Sequence, residues 1–464
     1  MIDSVKNIFS IPDLKKRVFY TFLMLAVYRI GGHIPVPGIN FHALENFFRQ
    51  QGGGLLGFLD LFSGGNLRRL TIFALGIMPY ISASIILQLL TVIVPSLEKL
   101  SKEGEVGRKK ITQYTRYGTV VLSLVQSLGI AFWLENLSGS SAGARVVTYP
   151  GWGFRMMTIL TLTTGTAFIM WVGEQISDRG IGNGISLIIY AGIVSGLPKA
   201  VATLYEDVTT GNLSPITLIL LLIMMAGVIA LIVWVERAQR KIPVQYARRV
   251  VGRRMYGGVQ THMPLRLNTA GVIPVIFASS LLAFPLTLLQ WTGAQTKPGW
   301  STLYRQLDYN GPLHNLFYFL GIIFFCYFYI SIIFNPMDVA DNMKKYGGFV
   351  PGIRPGRPTA EFLDTILTRL TFVGAIYLGV IALLPQILIS GLNVQTLPGI
   401  GPGLDRLLPA FLTQGLGVKF FFGGTSLLIV VGVAMDTIQQ VESQLIMRHY
   451  DGFLKGARIR GRRG

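Results

Sequence analysis

The chain has 464 residues, of which 51% are hydrophobic and only 14% charged, with a formal net charge of +19. A soluble domain holds roughly a quarter charged residues, so composition excludes an ordinary globular domain. The surplus of Lys and Arg would point to nucleic acid in a soluble protein; here its placement along the chain decides its meaning.

About 20 apolar residues span the bilayer core as a helix, because lipid offers the backbone no hydrogen-bond partner. Apolar blocks of that kind fall at 18–37, 70–92, 117–137, 154–173, 184–203, 215–236, 269–291, 314–334, 369–389 and 420–439, and predict about ten transmembrane helices. Blocks 18–37, 184–203 and 420–439 are interrupted by glycines or a charge. Solidly apolar runs exclude a β-barrel, whose strands would alternate. The first block follows Lys15, Lys16 and Arg17 and ends Gly31-Gly32-His33-Ile34-Pro35. It lacks the small-residue cleavage site of a signal peptide and is expected to be retained.

Between the first two blocks lies Gly52-Gly53-Gly54-Leu55-Leu56-Gly57-Phe58-Leu59-Asp60-Leu61-Phe62-Ser63-Gly64-Gly65-Asn66. This run is too short and too glycine-broken to span, and reads as re-entrant or as an amphipathic loop on the outer surface. With the N-terminus inside, the inner connections carry 30 of the 41 Lys and Arg residues. The positive-inside rule then predicts that both termini are cytoplasmic. No connection is long enough to bury a soluble core. The chain is expected to be one membrane domain, with halves 1–204 and 212–440 and a basic tail 441–464. Five plus five spans suggest an inverted repeat from the count alone.

Catalytic signatures are missing. His33, His42, His262, His314 and His449 are scattered without metal-ligand spacing. No phosphate-cradling G-x-x-x-x-G-K-[ST] occurs, and Gly180-Ile181-Gly182-Asn183-Gly184 follows a membrane block rather than a strand. Neither an enzyme nor a cofactor is expected. Cys326, inside an aromatic block, reads as a small buried hydrophobe. Blocks 70–92, 269–291 and 314–334 contain no Asp, Glu, Lys or Arg, where an ion pump keeps charge at mid-membrane. Arg29 is expected to snorkel outward, and Asp436 lies near an inner end. Two inner loops are unusual. Loop 237–268 alternates cations with aliphatic and aromatic residues and suits a protruding hairpin offering charge to phosphate, or simple retention of charge inside. In loop 335–369, Pro351, Gly352, Pro355 and Gly356 form a rigid turn presenting Arg354.

The run Thr71-Ile72-Phe73-Ala74-Leu75-Gly76-Ile77-Met78-Pro79-Tyr80-Ile81-Ser82-Ala83-Ser84-Ile85-Ile86-Leu87-Gln88-Leu89-Leu90 resembles the signature of the SecY family. Segments 105–118, 173–198, 261–280, 335–355 and 422–431 match it too, so the resemblance runs from about 15 to 440. It implies an all-α membrane protein of the bacterial type: a clamshell of two five-helix halves, related as an inverted pseudo-repeat, around an hourglass pore closed by a short plug helix. Unfolded presecretory polypeptides would cross it, and membrane helices would leave sideways into the lipid of the plasma (inner) membrane. The implied constriction ring is Ile77, Ile81, Ile185, Ile189, Ile276 and Ile429; i, i+4 spacing supports the first two pairs. The plug would comprise Leu55, Phe58, Leu59, Asp60, Leu61, Phe62, Ser63, Gly64, Gly65 and Asn66. Ser82, Gln88 and Asn268 would line the lateral gate. Arg248, Arg249, Arg253, Arg254 and Arg354 would dock the ribosome, through its RNA and proteins, or the SecA motor ATPase. Other implied partners are SecE and SecG subunits, the signal sequence and membrane lipid. The outer connection 390–419 is longer than the family's usual link. The rival reading is a secondary transporter of a small solute.

Overall fold

The computed structural model describes residues 11–456 apart from 52–53, 141–145, 212–213, 247–248, 252–253, 257–259, 292–303, 305, 309–310, 393–408, 410–412, 414 and 416–423. The chain divides into two compact units: Met1–Thr203 with Pro285–Ser301 and Val433–Gly464, and Leu204–Phe284 with Thr302–Gly432.

The first unit opens with α1 (Pro12–Gly31), started by a proline in its first turn, where the missing N–H costs nothing. It ends at Gly31, earlier than the apolar block that runs to 37. Two short helices follow, α2 (Phe41–Gln51) and α3 (Gly54–Ser63). Next come α4 (Met78–Ile93), α5 (Pro95–Lys102), α6 (Glu105–Ser140), α7 (Trp152–Arg179) and α8 (Gly184–Thr209). α7 packs on α1 and α6, and α4 packs on α6. At Val94–Pro95 the chain turns through 99° from α4 into α5. Pro95 cannot donate to the preceding turn, which is why the helix breaks there.

The block predicted as a helix from residue 70 is helical only from Met78. Residues 70–77 form turns, with Gly76 at φ +56°. Their backbone is satisfied locally: Ile72 N–H donates to Ile34 O (2.9 Å), and Leu70 O accepts from Val36 N–H (2.9 Å). Non-helical chain at membrane depth survives only when packed in protein or lining a wet cavity. Here Leu70, Thr71, Phe73, Ala74, Leu75 and Ile77 are all buried. The approach is close enough that a Cβ on Gly165 of α7 would stand 1.9 Å from Ile72 O. A core of Val36, Leu44, Phe48, Leu67, Leu70, Trp133, Leu134, Phe154 and Leu162 ties this linker to α2, α6 and α7.

The second unit contains α9 (Pro215–Arg237), then β1 (Gln239–Tyr246), β2 (Arg249–Val251), β3 (Arg254–Tyr256) and β4 (Gln260–Arg266). After them come α10 (Ile273–Trp291), whose last turns belong to the first unit, α11 (Pro312–Ile333), α12 (Pro336–Lys345), β5 (Gly348–Phe349) and α13 (Arg357–Ser390). The last helix, α14 (Gly424–Gly456), starts here and ends in the first unit. The all-α expectation needs one amendment. The strands form an antiparallel sheet in the order β4-β1-β5 and a separate hairpin β2-β3. In register, Gln239 pairs with Arg266 and Gln245 with Phe349. The sheet joins loops 237–268 and 335–369, separate in sequence, into one body. Its core is Ile242, Leu265 and Val350 packed on Leu363 and Ile366 of α13.

Each of the ten predicted blocks contains the body of one helix. Among the described residues, seven helices are long and apolar enough to cross a membrane, or eight if the bent pair α4–α5 is one span. The two others are α1, whose first turns carry Asp13, Lys15, Lys16 and Arg17, and α10, apolar only over Ile273–Thr287.

Candidate functional site

The segment between α1 and α4 builds the most distinctive feature of the first unit. α3 has ten residues, about half of what a bilayer needs. Its exit is a tight hook. Gly64 (φ +73°) and Gly65 (φ +81°) reverse the chain in a conformation that side chains with a Cβ disfavour. Asp60 organises the hook: its carbonyl accepts from Gly65 N–H (2.8 Å) and Ser63 Oγ (3.0 Å), and its carboxylate Oδ1 accepts from Arg68 N–H (2.8 Å). Burial pushes the Asp60 carboxyl above the usual carboxylate range, opposed by the hydrogen bond from Arg68 and by that residue's charge. Ser63 Oγ also accepts from Leu67 N–H (3.1 Å). The implied plug residues Asp60, Ser63, Gly64, Gly65 and Asn66 thus form a structured turn, and Phe62 is buried. Leu59 and Leu61 are half-buried on α3, and Leu59 packs against the core. Leu55 and Phe58 lie on the same helix, their side chains outside the described residues.

Arg29, expected to snorkel outward, is half-buried, and its Nη1 donates to Gly64 O (3.2 Å), a charge-assisted bond.

Of the implied constriction residues, Ile77, Ile81 and Ile189 are buried in the first unit, while Ile185 is half-buried and packs on Gly173 of α7. Ile77 is the N-cap residue of α4 rather than part of its body, and its carbonyl accepts from Ile81 N–H (3.1 Å). Ile276, on α10, and Ile429, on α14, are buried in the second unit. All six are aliphatic.

Ser82 and Gln88 are half-buried on α4, where Gln88 Nε2 donates to Ser84 Oγ (3.3 Å). Asn268 is buried just before α10. Its Nδ2 donates to Glu236 Oε1 at the C-terminal end of α9 (2.6 Å) and to Gly271 O (3.2 Å). Glu236 is 5% exposed and is absent from the sequence expectations, although a carboxylate at the end of an apolar helix marks it. A second omission is Glu135. Its Oε2 accepts from Arg155 Nη2 (2.6 Å) and Nε (2.9 Å), and that guanidinium also lies over Phe132 and Trp152.

On the sheet side, Arg354 is exposed in the turn before α13, with Gly352 (φ +81°) and Gly356 (φ +102°) on either side. Its carbonyl accepts from Thr359 Oγ1 (2.8 Å), which fixes the turn. Arg249 and Arg254 belong to the paired strands β2 and β3, where Arg254 lies opposite Val251 and Arg249 opposite Tyr256. Arg248 and Arg253 lie outside the described residues, as does most of 390–419.

A SecY family model matches residues 71–438. The chain belongs to the SecY family. The protein translocase subunit SecY of Escherichia coli K12 is 48% identical over 453 residues, covering 97% of this chain and 96% of that protein. The corresponding subunit of Aquifex aeolicus is 44% identical, over 98% of this chain and 100% of its own length. Among solved structures, a protein-conducting channel superposes with a TM-score of 0.64 at 18% identity, covering 96% of this chain and 95% of that one. A SecY structure described for its plug domain gives 0.64 at 19% identity. Sec61 in a canine ribosome–channel complex gives 0.60 at 18%. This SecY-family chain is therefore a multi-pass membrane protein with the fold of a protein-conducting channel, and the small-solute transporter reading is set aside.

Proposed function

We propose that the chain is the channel subunit of a bacterial plasma-membrane translocase, passing unfolded presecretory polypeptides outward and releasing apolar helices sideways into lipid. It does no chemistry of its own; the driving force comes from partners. One observation carries most of this reading: a helix too short to span, followed by a hooked turn and non-helical chain buried among α1, α6, α7 and α8. Such an element suits a removable stopper in a conduit, and aliphatic Ile77, Ile81, Ile189, Ile276 and Ile429 suit a collar that dewets without gripping cargo.

The fused sheet with exposed Arg354 suits docking of a ribosome, by phosphate contacts, or of the SecA motor. SecE and SecG are the membrane partners expected to accompany it. Both termini are read as cytoplasmic from the distribution of Lys and Arg. Proteoliposomes carrying the chain with these partners and the motor ATPase should protect a presecretory protein from external protease when ATP is added. Saturable small-solute uptake without such protection would overturn the reading.

A further inference from the structure

The contacts around the end of α3 fall into two classes. Those from Asp60 and Ser63 to Gly65, Leu67 and Arg68 lie within the hook and travel with it. The others come from α1. Tyr28 Oη donates to Ser63 O (3.1 Å) and accepts from Asn66 Nδ2 (3.4 Å), whose own bond to Ser63 O lies within the hook. One residue on, Arg29 Nη1 donates to Gly64 O (3.2 Å). These carbonyls stand at the C-terminal end of a helix, where unpaired C=O groups gather negative partial charge, so a cation there meets the favourable sign. The Tyr28 ring is fixed from behind by stacking on Phe73, with centroids 5.8 Å apart. On the far side the hook rests on α8: a Cβ on Gly64 would stand 2.8 Å from Gly192 Cα.

Resting on the reading of α3 as a plug, we propose that Tyr28 and Arg29 are its latch: positioning residues whose bonds to Ser63 O and Gly64 O set how often the plug leaves its seat. The bonds suit reversible release. Each joins a side chain to a backbone carbonyl, so water can replace either partner when the hook withdraws, and the net cost of breaking one is small. The hook's own hydrogen bonds stay intact, and the plug moves as one piece.

The test is the resting ion conductance of reconstituted vesicles, in full-length chain and in a background lacking residues 55–66, which removes both acceptor carbonyls. With the plug present, Tyr28→Phe should raise the leak several-fold and Arg29→Met about tenfold, the larger effect following from its charge-assisted bond. Arg29→Lys should return most of the seal. In the plug-deleted background neither change should add anything, since contacting groups are non-additive once their partner is gone. An equal increase in both backgrounds, or no increase with the plug present, overturns the latch while leaving the plug reading intact. A plug deletion that leaves conductance at the resting value overturns both. If Arg29→Met does not accumulate in the membrane, Tyr28→Phe decides alone, because it keeps the ring on Phe73.

Discussion

Adding one methyl group at Gly64 should unseat the plug far more than adding the same methyl group at Gly65. Both residues lie in the left-handed region, at φ +73° and +81°, so alanine at either costs about 1–2 kcal/mol of backbone strain. Their surroundings differ. At Gly65 a Cβ meets nothing within 4 Å, whereas at Gly64 it would stand 2.8 Å from the Cα of Gly192 and 3.4 Å from its carbonyl oxygen. Backbone cannot swing aside as a side-chain tip can, and overpacking of this kind costs about 1–3 kcal/mol more. The backbone strain travels with the hook, which moves as one piece, whereas the clash with Gly192 is relieved on withdrawal, so the closed state loses about 1–3 kcal/mol in Gly64→Ala. An extra 2 kcal/mol corresponds to a shift of about 30-fold in the open population. The assay is single-channel or vesicle conductance without cargo, read beside thermal melting in detergent to separate unseating from unfolding. Equal leak from Gly64→Ala and Gly65→Ala would refute the steric argument, and wild-type sealing by both would refute the hook as the seat.

Asp60 makes the seat pH-dependent. Burial holds its carboxyl above the usual range, so the folded hook favours the protonated form. Its contribution to stability is present in full below the ordinary carboxylate pKa and is lost as pH rises through the raised one. Resting leak should therefore climb across that window in wild type and stay flat in Asp60→Asn; the same slope in both would count against it. Asn268→Ala should lower the melting temperature by removing a buried bond to Glu236 worth about 1.5–3 kcal/mol if the carboxylate is ionised, with Asn268→Gln intermediate; unchanged melting of the alanine variant would mean that the contact is idle. Arg354→Glu should abolish motor-driven export while the chain still inserts and melts normally, and unimpaired export would remove Arg354 from the docking surface.

Much of this protein was legible in its sequence, for a physical reason. Lipid forces backbone groups to pair within the segment, so a run such as 314–334 announces its helix without knowledge of its neighbours. The charge asymmetry is equally local, since it counts Lys and Arg between blocks. The glycine-broken run 52–66 announced an exception by composition, because Gly64 and Gly65 supply a turn that apolar neighbours cannot. The rigid turn before α13 was visible in Pro351, Gly352, Pro355 and Gly356 for the same reason.

What tertiary structure alone decided lies in pairings across many residues. Hydropathy extended the second block back to Leu70, and only the packing of α6 and α7 on 70–77 shows why those apolar residues are buried without being helical. No local pattern joins β5 to β1, yet that pairing makes one body of two loops. Asn268 looks like any polar residue at a helix start until Glu236, thirty-two positions away, accepts a hydrogen bond from its Nδ2. Nothing local pairs Arg29 with a carbonyl thirty-five residues on. Segment-internal requirements can be read from residue order, whereas the choice of a partner depends on which surfaces the folded bundle brings within three ångströms.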